Sequence, residues 1–215
     1  MKKILLLTTG GTIASRPTAE GLAPELGGQL LASYLSGFSA NYDLTVRDIL
    51  HLDSSNIQPE EWQLIARHIY SACGDFDGIV VSHGTDTMAY TASVLSFMLP
   101  GLPIPVVLTG AQLPIEHPLT DGVDNLRTAF AMASSGAPGV FLAFNRKVIL
   151  GCRAVKTRTT DFDAFESVNW PLAANVDGKG LQIHREAIPA PAGACALRDK
   201  LCDKVFLIKL TPGLD

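Results

Sequence analysis

The 215-residue chain carries 17 Lys and Arg against 21 Asp and Glu, a net charge of −4, with 47% apolar and 18% charged residues. That content can bury one sizeable core, and the lack of basic or acidic blocks removes the electrostatic footprint of a nucleic-acid binder, so small-molecule chemistry is the better expectation. The longest apolar runs, residues 4–7 and 140–144, fall far short of the roughly 20 residues a membrane-spanning helix needs.

Met1-Lys2-Lys3 followed by four apolar residues mimics a signal peptide, but the run passes straight into Thr8-Thr9-Gly10-Gly11 without a cleavage site, and it reads instead as a first strand over residues 4–9. A second strand is predicted over 44–50. Pro59 then opens a helix in which Trp62, Ile65, Ala66 and Ile69 share one face. A third strand follows over 78–82. Met88, Ala92, Leu95 and Leu99 repeat the helical spacing before Pro100-Gly101, and a fourth strand covers 104–109. Asp121 is placed to cap a helix carrying Val123, Leu126, Phe130 and Ala133, and a fifth strand covers 140–144. Continuous apolar strands alternating with amphipathic helices predict a doubly wound α/β fold, a mostly parallel sheet flanked by helices.

Residues 188–196 lose periodicity in a Pro-Ala-Pro-Ala-Gly-Ala stretch, and residues 204–210 resume as a strand. The expected organisation is an α/β domain over 1–187, a linker over 188–203 and the first strand of a second domain over 204–215. A domain of one strand buries no core, so the rest of it is expected to lie outside this chain. Cys73, Cys152, Cys195 and Cys202 form no CxxC pair, which suggests unpaired thiols in a reducing, cytoplasmic compartment. His51, His68, His83, His117 and His184 are scattered. Neither a metal nor a cofactor is expected.

Three polar clusters follow predicted strands, and ligands of open α/β sheets bind at the carboxyl ends of strands. They are residues 8–15, Thr-Thr-Gly-Gly-Thr-Ile-Ala-Ser; Asp53-Ser54-Ser55-Asn56; and His83-Gly84-Thr85-Asp86-Thr87-Met88. Taken singly, each also reads as a turn or helix cap whose hydroxyls satisfy the backbone. Three on one sheet edge describe a pocket.

Together these segments resemble the signatures of the bacterial-type L-asparaginases, particularly the cytoplasmic type I branch. The resemblance continues through Thr109-Gly110-Ala111-Gln112 and Arg153-Ala154-Val155-Lys156-Thr157. It implies hydrolysis of L-asparagine to aspartate and ammonia through an acyl-enzyme on Thr12, with Thr85, Asp86 and Lys156 as supporting hydroxyl, carboxylate and amine. It also assigns Asp86 to the substrate α-amino group, Ser54 and Ser55 to its α-carboxylate side, Ala111 to the leaving group through its carbonyl, and backbone amides near Thr12 and Thr85 to the oxyanion. A homodimer or homotetramer is implied, with each site completed by the second domain of a neighbouring subunit.

The chain departs from the family at residues 20–24, where a loop tyrosine is replaced by Leu22, and Tyr34 reads as a packing residue in a helix over 29–35. Three other readings stand beside asparagine hydrolysis. One is use of L-glutamine, separated by a single methylene worth about 1 to 3 kcal/mol. Another is a non-catalytic amino-acid sensor. The last is the related subunit of a tRNA-dependent amidotransferase, against which Met1 leading directly into the first strand argues.

Overall fold

The computed structural model describes residues 1–18, 21–24, 26–35, 41–202 and 204–213. Twelve strands and four α-helices are defined among them, and eight strands form one mixed sheet in the order β12-β11-β8-β7-β6-β5-β1-β4. Its parallel half is β4 (Tyr42–Leu52), β1 (Lys2–Gly10), β5 (Gly78–Ser82), β6 (Pro105–Thr109) and β7 (Gly139–Phe144).

Alternation along these strands feeds two cores. Ile4, Leu6, Val80, Val107, Phe141 and Ala143 face one layer; Leu5, Leu7, Ile79, Val81, Val106, Leu108 and Leu142 face the other. Burial on both faces is why the strands read as unbroken apolar runs. The first layer is closed by α1 (Gly28–Ser33) and α4 (Gly122–Ala133), through Leu31, Leu126, Ala129 and Phe130. The second is closed by α2 (Pro59–Ala72) and α3 (Met88–Met98), through Ile65, Ile69, Met88, Ala92 and Leu95. The doubly wound expectation is what the chain adopts.

Helix starts follow local chemistry. Pro59 occupies the first turn of α2, and Gln58 with Glu61 forms a reciprocal capping box. Helix α1 lacks a side-chain cap of its own; Asp48 on β4 instead accepts from the Gly28 amide at 2.8 Å and from the Thr8 hydroxyl. Asp121 stands at the N-cap of α4 but does not cap it. Its carboxylate accepts from the amides of Gln112 and Leu113 and from Asn125 Nδ2, tying the loop after β6 to the helix.

The rest of the sheet is antiparallel: β8 (Lys147–Leu150), β11 (Ala174–Asp177) and β12 (Gly180–Ile183). Asn145 and Arg146, both at positive φ, make the two-residue turn between β7 and β8 whose twist suits a hairpin. Two small hairpins stand outside the sheet, β2 (Ser15–Thr18) with β3 (Gly21–Pro24) and β9 (Ala154–Lys156) with β10 (Phe165–Ser167).

Residues 188–202 are irregular, yet part of the segment is docked on the body. The Ala196 and Arg198 amides donate to the Pro100 and Met98 carbonyls, and Arg67 pairs with Asp199 at 2.7 Å. Residues 204–213, where a strand is expected from sequence, pair with no described strand, and Val205, Phe206, Leu207 and Leu210 are exposed.

Candidate active site

Among the parallel strands, β4 lies on one side of β1, and β5, β6 and β7 extend in order on the other. The winding therefore reverses between β1 and β5. Loops leaving adjacent strands diverge to opposite faces at such a point and open a crevice beyond the carboxyl ends.

The loops after β1, β4, β5 and β6 meet at that edge through glycines. A Cβ on Gly11, whose φ is +80°, would lie 2.4 Å from the Gly84 nitrogen; one on Gly84 would lie 2.5 Å from Ser54 Oγ; one on Gly110 would lie 2.2 Å from the His83 carbonyl oxygen. No side chain fits at any of the three. Backbone thus packs on backbone one residue before Thr12 and one residue before Thr85.

Thr12 opens a short 3-10 turn, Thr12–Ala14, and is half-buried. The turn is held from behind by Ser15, whose hydroxyl donates to the Gly11 carbonyl at 2.9 Å. Among the described residues none hydrogen-bonds to the Thr12 hydroxyl.

Across the Gly11–Gly84 contact, Thr85 is 5% exposed. Lys156, on β9, donates to Thr85 Oγ1 at 2.9 Å and to Asp86 Oδ1 at 2.7 Å. The Thr85 hydroxyl in turn donates to Gln112 Oε1 at 3.3 Å, while Gln112 Nε2 donates to the carbonyls of Thr159 and Asp161. A hydroxyl and a carboxylate from the loop after β5, an amide from the loop after β6 and an amine from β9 are therefore joined in one network. A cleft of about 410 Å³ lies on the outer side of the Lys156–Asp86 pair, lined also by Ala89, Tyr90 and Ser93.

Ser54 is buried against Gly84, and its carbonyl accepts from Thr87 Oγ1 at 2.8 Å. Its own hydroxyl has no partner among the described residues. Ser55 is turned differently: it is exposed, and both its amide and hydroxyl donate to Asp53 Oδ1 at 2.8 Å. Ala111 is buried after β6, with no hydrogen bond to its carbonyl among the described residues. Thr12, Ser54, Thr85, Asp86, Ala111 and Lys156 thus stand on one edge, with Ser55 at its rim. Tyr34 caps the end of α1 with 37% of its surface exposed. The Leu22 side chain lies outside the described residues.

His83, wholly buried beneath these loops, is pulled down to a pKa of about 4 by burial, which disfavours the charged ring. Sequence reading left His83, Gln112, Thr91 and Asp121 without a place in the site. His83 and Gln112 carry a usable signal, since His83 directly follows β5 and Gln112 stands three residues after β6 on the edge shared by the other loops.

An open α/β sheet with hydroxyl-bearing loops on both sides of its switch point, and a lysine held against one of them, describes the class of protein. Residues 3–189 match the family model for the asparaginase N-terminal domain, and the chain belongs to that family. It is 44% identical over 215 residues to an L-asparaginase of Thermococcus kodakarensis, across 99% of this chain and 65% of that protein. The solved thermostable L-asparaginase from the same organism superposes with a TM-score of 0.90 over 99% of this chain and 65% of that one. L-asparaginase 1 of Escherichia coli is 40% identical over 198 residues, 89% of this chain and 58% of that protein. The crystal structure of L-asparaginase I from Vibrio cholerae has a TM-score of 0.87 at 32% identity, covering 100% of this chain and 66% of that one. The chain spans less than two thirds of the length of these relatives.

Proposed function

We propose that this chain is the nucleophile-bearing domain of an amidohydrolase that converts L-asparagine to L-aspartate and ammonia. The single observation that carries the reading is Lys156 bridging Thr85 Oγ1 and Asp86 Oδ1, one glycine contact away from a Thr12 hydroxyl with no partner among the described residues. Family membership supplies the substrate class, since the relatives at 44% and 40% identity over this region are L-asparaginases.

In this reading Thr12 Oγ1 attacks the side-chain amide carbon and a C–O bond forms as the hydroxyl proton is taken up. On collapse the proton taken up in the attack passes to the leaving nitrogen, the C–N bond breaks and ammonia is released. Water then attacks the same carbon, the C–O bond to Thr12 breaks, and aspartate leaves. Lys156 takes up a proton only after giving one away, so the Thr85–Lys156 pair is the route by which a proton moves during attack. Asp86, with its side chain 60% exposed at the mouth of the site, receives the substrate α-ammonium. Ser54 offers to the α-carboxylate a hydroxyl with no partner among the described residues, and the Thr85 amide faces the developing oxyanion.

A second domain is proposed to begin at residue 204, after the linker over 188–203, to continue beyond residue 215 in the full protein, and to complete the site from a neighbouring subunit in a dimer or tetramer. Four unpaired cysteines fit a reducing, cytoplasmic setting. Asparagine is the proposed substrate in preference to glutamine.

The test is ammonia release from asparagine and glutamine by the 215-residue chain and by a version extended to the length of its relatives, each with a Thr12→Ala control. Turnover of asparagine that Thr12→Ala abolishes supports the reading, and activity confined to the longer version supports the missing third. Asparagine binding without turnover in either version makes the protein a sensor and overturns it.

A further inference from the structure

Beneath the turn that carries Thr85 and Asp86, three side chains with no part in the chemistry above form one line of hydrogen bonds. Trp62, on α2, donates its indole N–H to Thr91 Oγ1 at 2.9 Å. Thr91, fully buried on α3, lies 2.9 Å from His83 Nε2, and His83 Nδ1 lies 2.7 Å from the Gly84 carbonyl oxygen. The proton positions follow from the partners. An indole nitrogen only donates and a carbonyl oxygen only accepts. Nδ1 must therefore carry the ring proton toward Gly84, which leaves Nε2 bare to accept from Thr91 while Thr91 receives the proton of Trp62. A ring with its pKa pulled down to about 4 by burial stays neutral across working pH and keeps this single arrangement.

The arrangement has a consequence for the backbone above it. The peptide joining Gly84 to Thr85 is trans and planar, so its carbonyl and its N–H point in opposite directions. Holding the Gly84 oxygen down on buried His83 turns the Thr85 N–H away from the core. That N–H has no acceptor among the described residues, although Thr85 is 5% exposed. Buried amides are normally paired, and one held open in a crevice is a donor reserved for a ligand.

We propose that Trp62, Thr91 and His83 are positioning residues that fix the Gly84 carbonyl and so aim the Thr85 amide at the oxygen on which negative charge develops during attack. The inference rests on the amidohydrolase reading. It reaches from the outer helix layer, through α3, to one hydrogen-bond donor of the reaction. Oxyanion donors act through their direction, so loosening this one lowers kcat while leaving KM nearly unchanged.

The test pairs each disruptive variant with one that preserves the donor. His83→Leu and Thr91→Val are expected to lower kcat for ammonia release about 10- to 100-fold with KM within about twofold, whereas His83→Asn, which keeps a donor where Nδ1 stands, and Thr91→Ser recover to within about threefold. Trp62→Phe, at a half-buried position, gives a smaller loss in the same direction if the core variants fail to fold. Nitrogen-15 NMR of labelled histidine is expected to find His83 with Nδ1 protonated and Nε2 bare. In the wild type, added L-aspartate is expected to shift the Thr85 amide proton, and in His83→Leu to shift it less. Equal losses in Thr91→Ser and Thr91→Val, a change in KM alone, or a protonated Nε2 would each overturn the relay. If neither the 215-residue chain nor the version extended to the length of its relatives releases ammonia, the amidohydrolase reading fails, and the histidine tautomer with the aspartate-dependent shift of the Thr85 amide still decides the relay.

Discussion

Lys156 is 15% exposed while its partner Asp86 is 60% exposed. An ion pair with one open partner contributes at most about 1 kcal/mol to folding, so its loss belongs to chemistry. Lys156→Met is predicted to lower ammonia release on the order of 10²- to 10⁴-fold with a melting temperature within a few degrees of wild type; calorimetry beside the assay checks both. Gly11 behaves in the opposite way. Gly11→Ala forces a Cβ to 2.4 Å from the Gly84 nitrogen at φ +80°, and is predicted to cost stability and activity together, about 2 kcal/mol or more in urea unfolding. His83 makes stability depend on pH. Its folded pKa of about 4 lies below the unfolded value of 6.5, so the unfolded chain binds the extra proton and stability falls as pH drops from above 6.5 toward 4. The loss at pH 5 is about 2 kcal/mol, and comparing urea midpoints of wild type and His83→Asn at pH 5 and pH 7 isolates it. Thr12, Thr85 and Asp86 were legible because each sits just after a strand, where α/β sheets bind ligands. The Trp62–Thr91–His83 line was not, because its members are 29 and 8 positions apart and meet only when α2 and α3 pack on the sheet.

Strands β1, β5, β6 and β7 and the helices α2, α3 and α4 were readable because burial writes itself as unbroken apolar runs and as three-and-four spacing, whereas β4, at the sheet edge, has no fully buried residue. The antiparallel part was not readable. Strands β8 to β12 are three or four residues long, and β9, β11 and β12 are largely half-buried or exposed, so no run or alternation marks them. Lys156 lies on β9, so the strand least visible in sequence delivers the proposed base. Asp121 carries the same lesson at a helix end: its place was legible, but its role depends on a loop that sequence does not bring near. Asn125, 1% exposed, donates to the Gly110 carbonyl and to Asp121 while accepting from the Asn145 amide. It joins β6, α4 and the β7–β8 turn. Asn125→Ala leaves buried partners unpaired and is predicted to cost about 2 to 4 kcal/mol in chemical denaturation; a cost below about 0.5 kcal/mol would mean that this junction is not held by Asn125.

As a whole, the chain builds two cores, against which Ile188, Cys195 and Leu197 also pack, but presents an apolar run it does not bury. Val205 is 79% exposed, Phe206 87%, Leu207 88% and Leu210 85%. Contiguous apolar β-formers without a partner are association sites. The 215-residue chain is predicted to self-associate with rising concentration in sedimentation velocity, and Phe206→Lys with Ile208→Lys to suppress this without changing the far-ultraviolet spectrum. The claim on which the functional account depends is the covalent bond to Thr12. Rapid acid quenching of the active protein with asparagine, followed by peptide mass spectrometry, tests it directly. The account predicts an aspartyl adduct on Thr12 that disappears in Thr12→Ala. An adduct on Thr85, or ammonia release without any adduct under conditions where hydrolysis of the intermediate is slowed, would contradict it.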